Sequence, residues 1–315
     1  MIVVSAEEVA RLLPYKACIP LMRDAMIALS QGRTSQLLRA ILDMPGGRAF
    51  GSMPGAMLDD GVFGAKLVSV YPDNFAKGGS SHQGVIALFD AETGAPSAML
   101  DAGEITAIRT AAASAAATDV LARPDATSLA ILGYGEQARR HVEAVRCVRD
   151  IGRLTIWGRD QRKAEAFAER YGGDAKASVA DAVAGADIIC TVSAAREPIL
   201  LSEWVPDGAH INAVGSSRAG PVEIDNALVA RARFFADHAD GVRAQGAEYL
   251  NALAAGAIDE EHLLGEIGEV MAGTLTGRAK DADVTIYKSL GSIVQDLASA
   301  RYIVGKLRGV ASDPP

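Results

Sequence analysis

The sequence predicts an α/β protein with a doubly wound parallel sheet, and three observations lead to this prediction. Within residues 128–145, a glycine-containing turn lies between an apolar run of strand length and a helical pattern. Apolar runs then alternate with helical stretches through residues 153–236. At 315 residues and 49% hydrophobic content, the chain is long enough for two domains, each with its own core.

The glycine turn, Gly133-Tyr-Gly-Glu-Gln-Ala138, has the surroundings that a dinucleotide-binding turn requires. Gly133 allows the tight turn after the strand, Gly135 lets the backbone approach a pyrophosphate, and the small Ala138 lets helix and strand pack closely. The free N–H groups in the first turn of the helix would face the anion. We therefore expect a Rossmann-type dinucleotide-binding domain.

Four further apolar runs have the length of strands, and helical patterns separate them. They are residues 153–157, 187–192, 209–214 and 233–236. Strands that alternate with helices form parallel sheets, because each crossover helix returns the chain to the same edge. These runs extend the predicted sheet beyond the glycine turn.

A domain boundary is predicted near Pro124, which ends the preceding helix immediately before the nucleotide-binding strand. Residues 1–120 then form a second α/β domain. Residues 121–288 form the dinucleotide-binding domain. Apolar residues recur at helical spacing in residues 289–315, and this final helix is predicted to pack back on the first domain.

Composition excludes several classes of protein. The net charge of −8 argues against a nucleic-acid-binding surface, which needs clustered lysine and arginine. The N-terminus lacks the pattern of a signal peptide, and no uncharged apolar run reaches about 18 residues, so no membrane span is predicted. Cys18, Cys147 and Cys190 are too scattered for a disulfide framework or a zinc site. We expect a cytoplasmic protein without a metal site.

Three cations stand alone among apolar neighbours in the first domain. Lys66 is the only charge between Asp60 and Asp73, and on a strand it shares a face with valines. Such a lysine either reaches solvent at an edge or is buried with a lowered pKa. Arg109 is the only charge in a helix of small residues, and Arg39 lies in a short apolar run. A packed arginine needs an anionic partner, either a protein carboxylate or a substrate carboxylate, and the three cations together suggest a pocket for a small carboxylic acid.

The residues after the second nucleotide-domain strand bear on the choice of dinucleotide. NAD-preferring domains usually carry an acid there, which binds the ribose 2′-hydroxyl, but this chain has Gly158. Arg159 follows, and its guanidinium can bind the 2′-phosphate of NADP. Asp160 keeps the alternative open, because a shift of one residue would make it an NAD-type acid. We favour NADP(H), with NAD(H) as the alternative.

Taken together, seven stretches spread over nearly the whole chain resemble the ornithine cyclodeaminase/mu-crystallin family. They are Arg39, residues 64–68, residues 81–83, residues 101–112, the glycine turn, residues 208–215 and residues 287–291. The resemblance implies a homodimer that transfers a hydride at a carbon bearing nitrogen, with a small amino or imino acid as substrate. It also implies that the N-terminal domains carry the subunit contact and the substrate site.

The resemblance assigns roles to individual residues. Arg39 and Arg109 would hold the substrate carboxylate, and Lys66 would be the acid–base residue near the reacting nitrogen. The cofactor-side contacts, besides the turn residues Gly133, Gly135 and Ala138, would be Ser81, His82, Gln137, Arg159, Ser193 and Ser289.

One position departs from the ornithine cyclodeaminase pattern. Those enzymes have an aspartate after the Asn-Ala-Val-Gly segment, where this chain has Ser217 followed by Arg218. Serine cannot act as a carboxylate base, so ornithine cyclodeamination is disfavoured. The Ser-Arg pair is closer to the mu-crystallin branch, which reduces cyclic ketimines. The expected reaction is therefore NAD(P)H-dependent reduction of a cyclic imino acid, with Ser217 on the substrate side. Ornithine cyclodeamination, an alanine-dehydrogenase-like oxidation and non-catalytic ligand binding are the alternatives.

Overall fold

The computed structural model describes residues 1–71, 73–74, 82–217 and 219–309, with His82 described by its backbone alone. The chain divides into two compact units. Unit 1 comprises residues 1–109 and 292–315, and unit 2 comprises residues 110–291. The division falls inside a continuous helix, upstream of the boundary predicted at Pro124, and the C-terminal segment belongs to unit 1.

Unit 1 contains a seven-stranded sheet and four helical segments. The strands are β1 (Ile2–Val4), β2 (Thr34–Gln36), β3 (Ala40–Met44), β4 (Arg48–Met57), β5 (Val62–Val70), β6 (His82–Phe89) and β7 (Pro96–Asp101). The helices are α1 (Ala6–Leu12), α2 (Tyr15–Ser30), the first part of α3 (Ala102–Leu121) and α11 (Ile293–Arg308). The order is β1-β7-β6-β5-β4-β2, with β3 also paired to β4. Only the pair of β1 and β7 is parallel among these strands.

Alternating burial along β4 and β5 distinguishes the two faces of this sheet. Ala49, Met53 and Met57 are buried on one face of β4, and α11 packs on that side against β4, β5 and β6. Because strand side chains alternate between faces, Phe50 and the residues that share its face point the other way, and Phe50 is 40% exposed. One face therefore forms the core of unit 1, and the other is open.

Unit 2 contains an eight-stranded parallel sheet. Its strands are β8 (Ser128–Leu132), β9 (Arg153–Trp157), β10 (Asp174–Ala175), β11 (Ile188–Thr191), β12 (His210–Ala213), β13 (Arg233–Ala236), β14 (Leu263–Glu266) and β15 (Thr285–Lys288). Its helices are α4 (Glu136–Val145), α5 (Gln161–Tyr171), α6 (Val179–Val183), α7 (Asn226–Arg231), α8 (Ala239–Gln245), α9 (Ala247–Ala254) and α10 (Ile267–Met271). The remaining part of α3 also belongs to this unit.

The strand order of unit 2 is β10-β9-β8-β11-β12-β15-β13-β14. The chain moves outward in one direction from β8 to β10, and in the other from β8 through β11 and β12. The order therefore reverses between β8 and β11, which is the position where doubly wound sheets bind ligands at their carboxyl edge. The predicted fold class is confirmed, and each of the four predicted apolar runs contains a strand.

Within residues 1–71, 73–74, 82–217 and 219–309, no helix is both long enough and apolar enough to cross a membrane. The cytoplasmic location stays a prediction.

Candidate active site

Lys66 lies in the middle of β5 on the buried face of the unit 1 sheet. Its strand neighbours are Met53 on β4 and Ile86 on β6, both buried. The lysine itself is 4% exposed, so it does not reach solvent at a sheet edge. Of the two interpretations of this residue, the structure therefore supports the buried one.

Asp296, on the first turn of α11, is the counterion of this lysine. Lys66 Nζ lies 3.3 Å from both carboxylate oxygens of Asp296. Arg109 Nε donates to Asp296 Oδ1 at 3.0 Å, so one carboxylate holds both cations. Asp296 is completely buried. The three residues form a buried cluster, here called the carboxylate–cation cluster, on β5, α3 and α11.

A second contact fixes the orientation of Arg109. Its Nη1 donates to Gln295 Oε1 at 2.9 Å, and the side chain is nearly buried. Guanidinium groups carry five N–H donors, so Arg109 keeps others for a ligand. The buried Nε2 of Gln295 has no hydrogen-bond partner among the described residues. Buried polar atoms are normally satisfied, so this donor is available to a ligand that binds beside Arg109.

Burial lowers the pKa of Lys66 to about 8, because the charged form loses its hydration. The carboxylate of Asp296 opposes this shift, whereas the positive charges of Arg109 and Arg39 add to it. The half-buried Arg39 is therefore close enough for its charge to act on Lys66. Lys66 and Arg109 thus share one carboxylate, and the charge of the third predicted cation, Arg39, acts on Lys66.

In unit 2, the glycine turn joins β8 to α4 as predicted. Gly133 has a φ of +145°, and a Cβ there would lie 2.8 Å from the Val192 carbonyl oxygen, so only glycine fits. Nothing lies within 4 Å of where a Gly135 Cβ would stand. Gly135 is the N-cap residue of α4 and supplies no side-chain cap, and Ala138 is fully buried. The first N–H groups of α4 are thus open to a phosphate.

Two more predicted cofactor residues carry buried polar atoms without a partner. Gln137 Oε1, in the first turn of α4, and Ser289 Oγ, directly after β15, have no hydrogen-bond partner among the described residues. Ser193, after β11, is different: its hydroxyl donates to Glu223 at 2.7 Å and accepts from the Ala195 N–H. The open turn and the orphaned atoms fit a dinucleotide at this edge of the sheet.

The end of β9 shows why the usual acid is absent. A Cβ at Gly158 would lie 2.2 Å from Cδ1 of Tyr134, an aromatic ring packed against the core of unit 2. Asp160 is used as the N-cap of α5 and accepts from the Lys163 N–H at 3.2 Å. Arg159 lies between them and is exposed. Arg159 thus presents an exposed guanidinium beside the capping carboxylate of Asp160.

The remaining predicted residues are placed as follows. Ser217 is half-buried in the segment after β12. Ser81 and Arg218 lie outside the described residues, as does the side chain of His82. No group of three or more histidine, cysteine, aspartate or glutamate residues in the described ranges could hold a metal ion.

Two relatives are similar over nearly their whole length. The ketimine reductase mu-crystallin of Mus musculus is 36% identical over 306 residues, which cover 95% of each chain. A Delta(1)-pyrroline-2-carboxylate reductase of Bacillus cereus is 33% identical over 320 residues, which cover 98% of each chain.

Solved structures show the same similarity. The Thermococcus litoralis Delta(1)-pyrroline-2-carboxylate reductase in complex with NADH and L-proline superimposes with a TM-score of 0.93 and 31% identity. The superposition covers 98% of this chain and 99% of that one. An archaeal alanine dehydrogenase dimer with bound NAD gives a TM-score of 0.91 at 29% identity, with coverages of 99% and 98%.

The family model for ornithine cyclodeaminase/mu-crystallin proteins matches residues 1–310. This match spans both units, the carboxylate–cation cluster and the glycine turn. The chain belongs to the ornithine cyclodeaminase/mu-crystallin family.

Proposed function

We propose that this protein catalyses the NAD(P)H-dependent reduction of a small cyclic imino acid to the cyclic amino acid. 1-Pyrroline-2-carboxylate and 1-piperideine-2-carboxylate are the substrates that we expect. The observation that carries the proposal is the carboxylate–cation cluster, in which Lys66 and Arg109 share Asp296. The names of the pyrroline-2-carboxylate and ketimine reductase relatives support the same reaction class.

The charge of the cluster suits an anionic substrate. Lys66, Arg109 and Arg39 supply three cationic groups, and Asp296 is the one carboxylate that the structure pairs with Lys66 and Arg109. The excess of positive charge favours a ligand carboxylate, and a guanidinium can bind it through two parallel hydrogen bonds. Arg109, whose Nε and Nη1 are oriented by Asp296 and Gln295, and Arg39 would hold this group. A fixed carboxylate orients the adjacent imine carbon and so lowers the entropic barrier.

Lys66 would supply the proton that the reduction requires. The reduced nicotinamide, when bound, supplies the hydride for the imine carbon. The C=N double bond becomes a single bond, and the nitrogen takes up one proton. With its pKa near 8, Lys66 is protonated at neutral pH yet releases its proton more readily than a solvated lysine. Asp296 remains to neutralise the charges that are left.

Ser217 separates this reaction from ornithine cyclodeamination. A hydroxyl cannot hold the charge of an ammonium group or act as a carboxylate base on attacking water. An imine needs neither function. Alanine-dehydrogenase-like oxidation and non-catalytic ligand binding stay alternatives, because both would also use a carboxylate site and a dinucleotide.

A substrate panel tests the proposal. The purified protein is assayed by NAD(P)H absorbance with the two cyclic imines, with pyruvate plus ammonia, and with ornithine. We expect rapid oxidation of the reduced cofactor with the imines and little or no proline and ammonia from ornithine. Substantial turnover of ornithine would contradict the proposal. So would activity with pyruvate plus ammonia but with neither of the cyclic imines. Ligand binding without turnover would favour the alternative of non-catalytic ligand binding.

We further propose that NADPH is preferred to NADH. Tyr134 keeps position 158 as glycine, so the usual acid for the ribose 2′-hydroxyl is lacking there, and the Asp160 carboxylate is engaged as the cap of α5. The exposed Arg159 can bind a 2′-phosphate instead. NAD(H) stays the alternative, because similar solved structures of other proteins contain NADH or NAD.

Replacement of Arg159 tests this preference. We expect Arg159→Ala to raise the Kd of NADPH about 10- to 100-fold, as for a lost charge-assisted hydrogen bond, and to leave the Kd of NADH nearly unchanged. Cofactor fluorescence measures both constants. Arg162→Ala, which removes another exposed arginine of the same segment, is the control. A wild-type preference for NADH, or the same loss in Arg162→Ala, would show that Arg159 does not select the phosphate.

We also propose a homodimer that forms through the open face of the unit 1 sheet. On this face Phe50, Phe63 and Leu67 are between 37% and 40% exposed, and Val3 is 67% exposed. Phe63 stacks on Phe89 with ring centroids 5.6 Å apart. Exposed apolar surface of this kind marks an interaction site. The alanine dehydrogenase dimer among the similar structures favours a second copy of the chain as the partner.

Sedimentation velocity tests the assembly. We expect a dimer for the wild type at micromolar concentration. The double variant Phe50→Asp/Phe63→Asp should be monomeric, because a twofold interface would bury each new charge twice, at a cost of several kcal/mol. Leu264→Asp, at a similarly exposed apolar residue of unit 2, is the matched control and should stay dimeric. A monomeric wild type, or an undisturbed double variant, would contradict this interface.

A further inference from the structure

Unit 2 contains a second buried group of charges, here called the loop-linking cluster and formed by Glu223, Glu248 and Lys288. None of the three is more than 1% exposed. Lys288 Nζ lies 2.6 Å from Glu248 Oε2 and donates to the Ser216 carbonyl oxygen at 2.6 Å. Glu248 Oε1 in turn accepts from the Glu223 N–H at 3.3 Å. The cluster thus connects the end of β15, the segment after β12 and helix α9.

Glu223 joins two neighbouring strand ends through its carboxylate. Its Oε1 accepts from the N–H and the hydroxyl of Ser193, both at 2.7 Å. Its Oε2 accepts from the Gly215 N–H at 2.7 Å. A Cβ at Gly215 would lie 2.5 Å from Glu223 Oε1, so the close approach of the carboxylate requires glycine there. The segments after β11 and β12 are therefore held by one side chain.

The segments that Glu223 holds lie at the edge of the sheet where a ligand is expected to bind. They follow β11 and β12 at the carboxyl edge of the sheet, beside the point where the strand order reverses. The segment after β11 carries Ser193, the one after β12 carries Ser217, and Ser289 directly follows Lys288 at the end of β15. The three serines were predicted as cofactor-side or substrate-side residues, and the cluster contacts the backbone or side chains of all three segments.

Stability alone does not explain such a cluster. Burial raises the pKa of Glu223 above its usual value, because the charged form is taken out of water. Buried ion pairs are often no more stabilising than apolar residues of the same volume. Two carboxylates also face a single ammonium group, and the second carboxylate is balanced by N–H and hydroxyl donors from the loops. The cost of burying the Glu223 carboxylate is therefore offset only while the loops hold those donors in place.

We propose that Glu223 is a positioning residue for the proposed reaction. Its carboxylate holds the segments of Ser193 and Ser217 in the arrangement that receives the cofactor and the substrate. Glu223 acts through the Ser193 side chain and the Gly215 N–H, and contacts neither reactant itself. The proposal rests on the proposed function for its substrate side, and on family membership for its cofactor side.

Glu223→Gln tests this role with almost no change of volume. The amide replaces one accepting oxygen by an NH2 group, which cannot accept a hydrogen bond from Ser193 or Gly215. We expect kcat for imine reduction to fall at least tenfold at saturating cofactor, and the Kd of NADPH to rise at least threefold. The thermal unfolding midpoint, measured for each variant, identifies losses that come from unfolding.

Asp187→Asn is the matched control. Asp187 also accepts from two backbone N–H groups, those of Thr127 and Ser128 at 3.0 Å, but it stands at the amino end of β11. We expect this variant to lose stability while kcat and the Kd of NADPH stay within twofold of the wild type. Hydrogen exchange of the segments around 193 and 215 should rise in Glu223→Gln and not in Asp187→Asn.

The outcomes separate this proposal from the proposed reaction. If Glu223→Gln folds and keeps both kcat and the Kd of NADPH within twofold of the wild type, the positioning role is wrong. It is also wrong if Asp187→Asn shows the same catalytic and binding losses, because a general loss of stability then explains them. If the wild type reduces none of the imines, the proposed reaction fails, and the comparison of the NADPH Kd values still decides the role of Glu223.

Discussion

Lys66→Met should reduce kcat for imine reduction by about 10²- to 10⁴-fold, the range that general acid catalysis contributes. Methionine fills nearly the same volume and carries no proton to donate. Asp296 keeps its contact with Arg109 in this variant, so no buried carboxylate is left without a partner. The loss should therefore appear mainly in kcat, measured by absorbance of the reduced cofactor with either cyclic imine.

Two further variants make the Lys66 experiment specific. Lys66→Arg keeps the positive charge, but a guanidinium does not release a proton near neutral pH, so we expect this variant to be almost as impaired. Lys16→Met, at an exposed lysine of α2 in the same unit, should leave kcat unchanged. Reduction of imines by Lys66→Met at the rate of the wild type would rule out Lys66 as the proton donor.

The wild-type pH profile provides a second test of the same residue. The pKa of Lys66 is about 8, and the protonated form is the one that donates. The rate should therefore be nearly constant around neutral pH and decline as the pH rises through about 8. An alkaline limb near the pKa of an ordinary solvated lysine, about 10.4, would indicate a different donor.

The nucleotide-binding unit could be predicted from local sequence alone. A turn such as that of Gly133 and Gly135 is encoded by residues adjacent in the chain, because the backbone conformation itself requires glycine. Lys66 and Arg109 could also be identified as candidate site residues from the sequence, because each is the only charged residue in an apolar segment. Predictions of this kind depend only on the residue types at a few adjacent positions in the chain.

The partners of these residues could not be predicted in the same way. Asp296 is 230 residues from Lys66 in the chain, and only the packing of α11 on the sheet brings them together. The one available signal was that Asp296 is the only charged residue between Lys288 and Arg301 in the sequence. Glu223 is close to Ser217 in sequence, but its contacts with Ser193 and Gly215 depend on the pairing of β11 with β12. The role of a carboxylate follows from what it contacts, and that information is tertiary.

Asp296→Asn should destabilise the protein by about 3–5 kcal/mol, because it leaves the buried Lys66 and Arg109 cations without their shared counterion. Denaturant unfolding at neutral pH measures this loss. Asp59→Asn is the control: it removes an exposed partner of Arg33 from the same unit, and exposed pairs contribute about 0–1 kcal/mol. A loss for Asp296→Asn no larger than that for Asp59→Asn would contradict the structure of the cluster.

The pH dependence of Asp296→Asn tests the link between this carboxylate and the proton donor. The charge and hydrogen bond of Asp296 raise the pKa of Lys66 against the effect of burial, so their removal should lower it below about 8. The alkaline limb of kcat should then move to lower pH. In the unfolded chain the lysine keeps its proton up to its ordinary pKa, whereas in the folded variant Lys66 loses its proton above the lowered pKa. Between that lowered pKa and about pH 8, the free energy of unfolding of the variant therefore rises with pH, and its difference from the wild type becomes smaller. Asp296→Glu retains the charge and should keep the limb near its wild-type position. A limb that does not move in a folded Asp296→Asn variant would mean that Asp296 does not control the protonation of the catalytic group.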